Sequence, residues 1–274
     1  MFLAIPFVWV VVEAMNPIWL YRNAVRSWRY RENARSALNR LRWIYVEKLP
    51  KQLRSTEQVL GFRYPLPIGL VRFLVRANHG SDSFIFGEVF EHEYYRIPLQ
   101  SPPKTILDLG ANAGFSAVYF ARHYPNACMA CVEPVPTNVR VLIRNLELNG
   151  VNAAVIPAAV DVSDGRVMMG LGRMDYGHKI SSSTVDDEPV LEVEAISVPT
   201  ILRRLEWKRI GLLKVDIEGH ESALFSGNCD WLRQVDNICI ECHDGFAEQD
   251  LRILAERHFF QPPRALRGIW LLSR

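Results

Sequence analysis

The sequence predicts an α/β fold, a mostly parallel sheet with helices on both faces, preceded by a helical N-terminal appendage. Three observations predict it. Strand-like and helix-like segments alternate from residue 104 to the end, the pattern of a doubly covered parallel sheet. The stretch Thr105-Ile-Leu-Asp-Leu-Gly-Ala-Asn-Ala-Gly114 reads as a buried strand breaking into a glycine-rich turn that opens a helix. Glu133 ends the next strand, so that carboxylate and turn fall on the same edge of the sheet.

At the N-terminus, Met1 to Leu20 is apolar apart from Glu13, but its clean run stops at Val12. Spanning a bilayer takes roughly 20 helical residues, about 30 Å. There is no basic lead and no small-residue cleavage pattern, which argues against a secretory signal. Residues 1–42 hold seven arginines against two glutamates, interleaved with Trp19, Tyr21, Trp28 and Tyr30. Such a mixture suits a membrane surface, and the arginines would hold the following domain on the cytoplasmic face. The alternative is an appendage packed on the domain or on a partner subunit. Net charge over the whole chain is only +2, which gives no nucleic-acid signal.

The chain divides by pattern into 1–44, the apolar and then arginine-rich segment; 45–103, a cap; and 104–274, the main domain. Within the cap, Leu70 to Val75 suits a strand and Ser83 to Tyr95 a helix, with Phe86, Val89, Phe90 and Tyr94 near one face. In the main domain the spacing predicts helices at 115–123, 136–149, 199–205, 221–226 and 247–259, the last capped by Asp244. Strands are predicted at 127–133, 153–160, 211–216, 238–242 and 269–273, and Val167 to Met169 is expected to pair with Leu191 to Ile196 as an inserted hairpin. The five cysteines lack the turns of a zinc knuckle and read as small buried residues in a reducing compartment.

The glycine-rich turn reads Asp108-x-Gly110-x-Asn112-x-Gly114, with Ala111 between the first glycine and Asn112. Glycines allow close backbone approach, and a helix starting there offers free N–H groups. The pattern lacks the third glycine of a dinucleotide fingerprint and so favours a nucleoside joined to an amino acid. Glu133 is placed to accept both ribose hydroxyls of such a ligand.

A second constellation lies downstream. Lys214, Asp216 and Glu218 alternate at the end of one strand, and Glu241 and His243 do the same on the next. An extended strand puts alternate residues on one face, so Asp216, Glu218, Glu241 and His243 are expected together. They suit general base chemistry, with His243 the natural base near neutral pH and Asp216 or Glu218 the substitutes. The same four could hold a divalent metal. Lys214 is expected to pair with Glu218 or Glu241. His220 and Glu221 are expected to start a helix rather than touch substrate.

Asp108 to Gly114, Glu133-Pro134 with Asn138 and Asn145, Ser81 to Tyr94, and Leu213-Lys-Val-Asp-Ile-Glu-Gly-His-Glu221 together resemble the FkbM-type methyltransferases. The resemblance covers roughly residues 78–245, and its most specific part is Lys214 to Gly219. It implies a Rossmann-like class I fold with seven strands, the last antiparallel, and S-adenosylmethionine as the cofactor. It also implies O-methylation of a saccharide, a lipid-linked glycan or a polyketide-like acceptor. A scaffold that has lost catalysis, or a nicotinamide-dependent oxidoreductase, would be the rivals; the intact acidic and His residues oppose the first and the missing glycine the second.

Overall fold

The structure, a computed structural model, describes residues 17–45, 57–76, 81–170, 179–180, 190–243 and 245–274. It divides into two compact units, Met1–Gly80 and Ser81–Arg274. The division falls inside the segment that the sequence presents as a cap. Met1 to Asn16 and Asp244 lie outside the described residues, and with them most of the apolar N-terminal run and the expected cap of the last helix.

The first unit contains helices α1 (Pro17–Arg29) and α2 (Ala34–Ile44) and a hairpin of β1 (Glu57–Arg63) and β2 (Leu70–Arg76). Asn33 caps α2, its side-chain oxygen accepting the Ser36 N–H at 2.9 Å. The strands pair antiparallel, Glu57 opposite Arg76 and Arg63 opposite Leu70. Leu60, Phe62, Val71, Phe73 and Val75 are buried, and Trp43 of α2 donates its indole N–H to the Arg76 carbonyl at 2.9 Å.

The second unit starts with α3 (Ser81–Phe86), which widens into a π-helical turn over Gly87–Glu91 instead of running on to Tyr95. Aromatic packing fixes this segment. Phe86 stacks on Phe90, and both meet aromatic rings further on, Phe115 and Tyr119, edge to face. Then come β3 (Thr105–Leu109), α4 (Phe115–His123), β4 (Cys128–Val132), α5 (Pro136–Asn149) and β5 (Ala153–Ile156). The predicted strand 153–160 is divided: Pro157, which has no N–H to give a ladder, separates β5 from β6 (Ala159–Asp161). The insertion follows as β7 (Gly165–Gly170), β8 (Lys179–Ile180) and β9 (Val190–Ser197), and then α6 (Val198–Arg204). The chain closes with β10 (Leu212–Val215), α7 (Glu221–Ser226), a 3-10 turn at Asp230–Gln234, β11 (Asn237–Ile240), α8 (Glu248–His258), β12 (Arg264–Ala265) and β13 (Trp270–Ser273). The first turn of α8 is closed by Asp250, whose carboxylate accepts the Ala247 N–H at 2.8 Å.

The main sheet has the order β12-β13-β11-β10-β3-β4-β5. Strands β11, β10, β3, β4 and β5 are parallel, and β13 is antiparallel to β11, as the resemblance implied. The sixth position is filled by the two-residue β12. The expected hairpin forms, with Val167 opposite Val193, and belongs to a second sheet of order β6-β9-β7-β8. The cysteines are free; Cys131, Cys229 and Cys239 are buried, whereas Cys128 at the start of β4 is exposed, contrary to expectation.

Candidate active site

Asp108 lies fourth in β3, and the parallel register sets it directly opposite Lys214 of β10. Both are buried, and the ammonium sits 3.1 Å from Asp108 Oδ1 and 3.3 Å from Asp216 Oδ2. It also donates to the Gly110 carbonyl at 2.7 Å. Burial pulls the Lys214 pKa down, but Asp108 and Asp216 outweigh it and the net shift is upward. Lys214 therefore pairs with Asp108 and Asp216 rather than with Glu218 or Glu241; the register across β3 and β10 decides it. The other Asp108 oxygen accepts the Ser116 hydroxyl at 2.6 Å. Asp108 thus stands behind the cavity wall and acts on the cavity through Lys214 and Ser116, which do line it.

The loop after β3 is tight. Gly110 has φ +78°, and a Cβ there would sit 1.8 Å from the Asp216 carbonyl oxygen, so only glycine fits. Gly114, at φ +82°, lies under Leu142, outside the cavity lining. Asn112 takes φ +46° and turns its N–H onto Glu133 Oε2 at 2.9 Å. Glu133 Oε1 accepts from the Val135 N–H at 3.0 Å and from the Asn138 side chain at 3.2 Å. A carboxylate offers about four acceptor sites, so Glu133 keeps capacity after holding the loop. Burial nevertheless raises its pKa, against the pull of those three donors.

A cavity of about 320 Å3 opens beside this loop. Gly110, Ala111, Asn112 and Glu133 of the loop region line it, and so do Asp216, Glu218, Glu241 and His243. All four residues of the second constellation are together. His243 Nε2 is 3.6 Å from Glu218 Oε2, 3.9 Å from Asp216 Oδ1 and 4.0 Å from Glu241 Oε1. Strand alternation explains Asp216 but not Glu218. Strand β10 ends at Val215, and Glu218 reaches the cluster from a turn in which it takes φ +56°. Non-glycine residues held there mark places where position is imposed by the surroundings.

Two participants were hidden from the pattern. Glu221, fully buried, accepts His243 Nδ1–H at 2.8 Å and the Ile217 N–H at 3.2 Å. It starts α7 as expected and also fixes the His243 ring with Nε2 toward the cavity. Glu88, on the π-helical turn, also lines the cavity, near enough to Glu241, Asp216 and Glu218 to feel their charge. The signal for Glu88 was its place in the Ser81–Tyr94 stretch; Glu221 had none beyond its spacing. His220, the cap residue of α7, also lines the cavity and meets Asp161 Oδ1 at 3.0 Å.

The charges are strongly coupled. Burial alone would lower the His243 pKa, but the Glu221 hydrogen bond and the Asp216 and Glu218 charges push it up to about 9. Burial and then Asp216 push Glu241 up to about 7. Burial, Glu241 and Asp216 push Glu88 up to about 8. At neutral pH, His243 is therefore an imidazolium among carboxylates, whereas its ordinary pKa would leave it mostly neutral. One oxygen each of Asp216 and Glu241 and one nitrogen of His243 all lie within 4.8 Å of one another, a set able to hold a metal ion.

The sequence pattern of the family described as the methyltransferase FkbM domain matches residues 108–264. Methyltransferase 1 of Beauveria bassiana is 28% identical over 200 residues, covering 63% of this chain and 79% of its own. Methyltransferase sdnD of Sordaria araneosa is 28% identical over 175 residues, covering 53% of this chain and 68% of its own. Among solved structures, methyltransferase FkbM from Methylobacillus flagellatus superposes with a TM-score of 0.47 and 12% identity over 93% of this chain. This chain spans 58% of that structure's length.

Proposed function

The chain belongs to the FkbM-type methyltransferases, and from that premise we propose that it transfers a methyl group from S-adenosylmethionine to a hydroxyl oxygen. The observation that carries this reading is one cavity lined both by the Glu133-held loop and by the His243 cluster. Glu133 would take the ribose hydroxyls, and the N-terminal end of α4 the methionine carboxylate. The acceptor oxygen would attack the methyl carbon as the carbon–sulfur bond breaks, and its proton would pass to His243 Nε2. Asp216 and Glu218 would then stabilise the imidazolium so formed. Phe84, half exposed, and Met169 give the cavity apolar wall beside its carboxylates. That combination suits an acceptor with hydroxyls and an apolar part, in keeping with a saccharide, lipid-linked glycan or polyketide-like molecule.

Calorimetric titration with S-adenosylhomocysteine, with NADH as the control, tests the cofactor. Binding of the homocysteine product alone is expected, and Glu133→Ala is expected to weaken it by about 1–3 kcal/mol, the loss of a buried charged acceptor. Failure of the folded protein to bind would favour a scaffold that has lost catalysis.

The proton acceptor is tested by pH. With His243 as base, kcat/KM is expected to rise toward alkaline pH through about 9, where the imidazolium deprotonates. The sign for stability is opposite. The imidazolium favours the fold fully below about pH 6.5, and that contribution is lost as pH rises through about 9. A profile that instead rises through about 7 would assign the proton to Glu241.

A second reading has one observation in its favour, the proximity of Asp216, Glu241 and His243. A divalent cation held by these three would make the acceptor hydroxyl more acidic. Glu221 on the far nitrogen of His243 matches the way metal-bound imidazoles are held. Loss of turnover in EDTA, restored by added cation, is the expected result on this reading; unchanged turnover in EDTA rules it out.

A further inference from the structure

Over residues 21–29 of helix α1, the buried positions are polar, Asn23 and Ser27, four residues apart on one face. Ser27 Oγ accepts from the Arg40 guanidinium of α2 at 3.4 Å. Over the same residues three large apolar side chains are exposed: Tyr21 70%, Val25 45% and Trp28 57%. Spaced four and three residues apart, these form one stripe along the helix. On α2, Leu38 is 50% exposed. Four arginines are exposed on the two helices, Arg22 and Arg29 on α1 and Arg35 and Arg42 on α2. The Arg31 guanidinium lies 3.8 Å over the Trp28 ring, which joins a cation to the stripe. Neither helix carries an acidic residue, and Glu32 between them is engaged by Arg72.

We propose that α1 and α2 form an in-plane anchor that seats the N-terminal unit on an anionic lipid surface, with Tyr21, Val25 and Trp28 entering the headgroup layer and the arginines meeting lipid phosphates. Two properties select this partner. The stripe combines aromatic and aliphatic residues, as interfacial helices do. The surrounding charge is of one sign and complements an anionic leaflet. The 13 residues of α1 extend about 20 Å. Among the described residues no helix is long and apolar enough to cross a membrane. An acidic nucleic acid would use the arginines but would leave Val25 and Leu38 in water.

The test is co-sedimentation of the full chain with vesicles of phosphatidylcholine alone or with about 30% phosphatidylserine, at about 0.15 M salt. Two variants accompany it, Tyr21→Ser with Trp28→Ser, and Arg22→Gln with Arg29→Gln and Arg35→Gln. Circular dichroism and the thermal midpoint establish that both remain folded. The full chain is expected to bind the serine-containing vesicles roughly tenfold better than the neutral ones, and each variant to lose about tenfold of that binding. S-adenosylhomocysteine affinity should not change in either variant, which separates this result from the cofactor reading. Equal binding to both vesicle types overturns the proposal. So does unaltered binding by the folded variants, or binding of single-stranded RNA in preference to vesicles.

Discussion

Replacing His243 by alanine is expected to lower turnover by roughly 10²–10⁴-fold, the contribution of a positioned general base, while S-adenosylhomocysteine affinity stays within a few-fold. His243 is bound by Glu221, whereas Glu133 holds Asn112, Val135 and Asn138, so the two quantities should separate. Asp216→Asn should move turnover in the same direction, because Asp216 helps hold the imidazolium. Single-turnover kinetics with saturating cofactor are the measurement. Full activity in His243→Ala would remove the histidine from the proton path and leave Glu241, whose pKa of about 7 is the better match to neutral conditions.

The largest stability effect is expected from Lys214→Met. This substitution keeps the length of the chain but leaves Asp108, fully buried, without its counter-ion. Breaking a buried pair on one side typically costs about 3–5 kcal/mol. Urea unfolding should show a loss of that size, with the dependence on denaturant unchanged. Adding Asp108→Asn removes the stranded charge and should recover much of the loss, while Asp108→Asn alone leaves the Lys214 ammonium still facing Asp216. A loss below about 1 kcal/mol in Lys214→Met would mean that the ammonium is not what makes burial of Asp108 tolerable.

Much of this site could be read from spacing. The turn from Asp108 to Gly114, Glu133 at a strand end, and the pair Asp216 and His243 on neighbouring strands all follow from strands of period two whose carboxyl ends share one edge. What spacing misses is set by tertiary contact. The partner of Lys214 depends on the register between β3 and β10, whose paired residues are 106 apart, and local pattern carries no record of it. Glu218 looked like a strand residue because it alternates with Asp216, yet the chain turns at Ile217 and a positive φ brings it back. Glu221 read as the first residue of a helix, which it is; that its side chain runs inward to His243 depends on where α7 packs. The π-helical turn that presents Glu88 is invisible to a 3.6-residue pattern, since it gains its extra residue from aromatic packing around Phe86 and Phe90.

The break at Pro157 has a consequence for how such an enzyme diversifies. It hands the chain from one hydrogen-bonded ladder to another, and the residues that follow, Ala158, Ala159 and Val160, line the cavity together with Met169. Val135, Ala159, Met169 and Val193 make a small hydrophobic cluster apart from the large one. On the proposed reading, this wall faces the acceptor while the Glu133-held loop belongs to the other ladder. Substitution at Met169 is then expected to change which acceptors are admitted more than it changes S-adenosylhomocysteine affinity. Ala158 and Val160 also pack in the large cluster, so drift at those two positions is constrained by the core as well as by the acceptor.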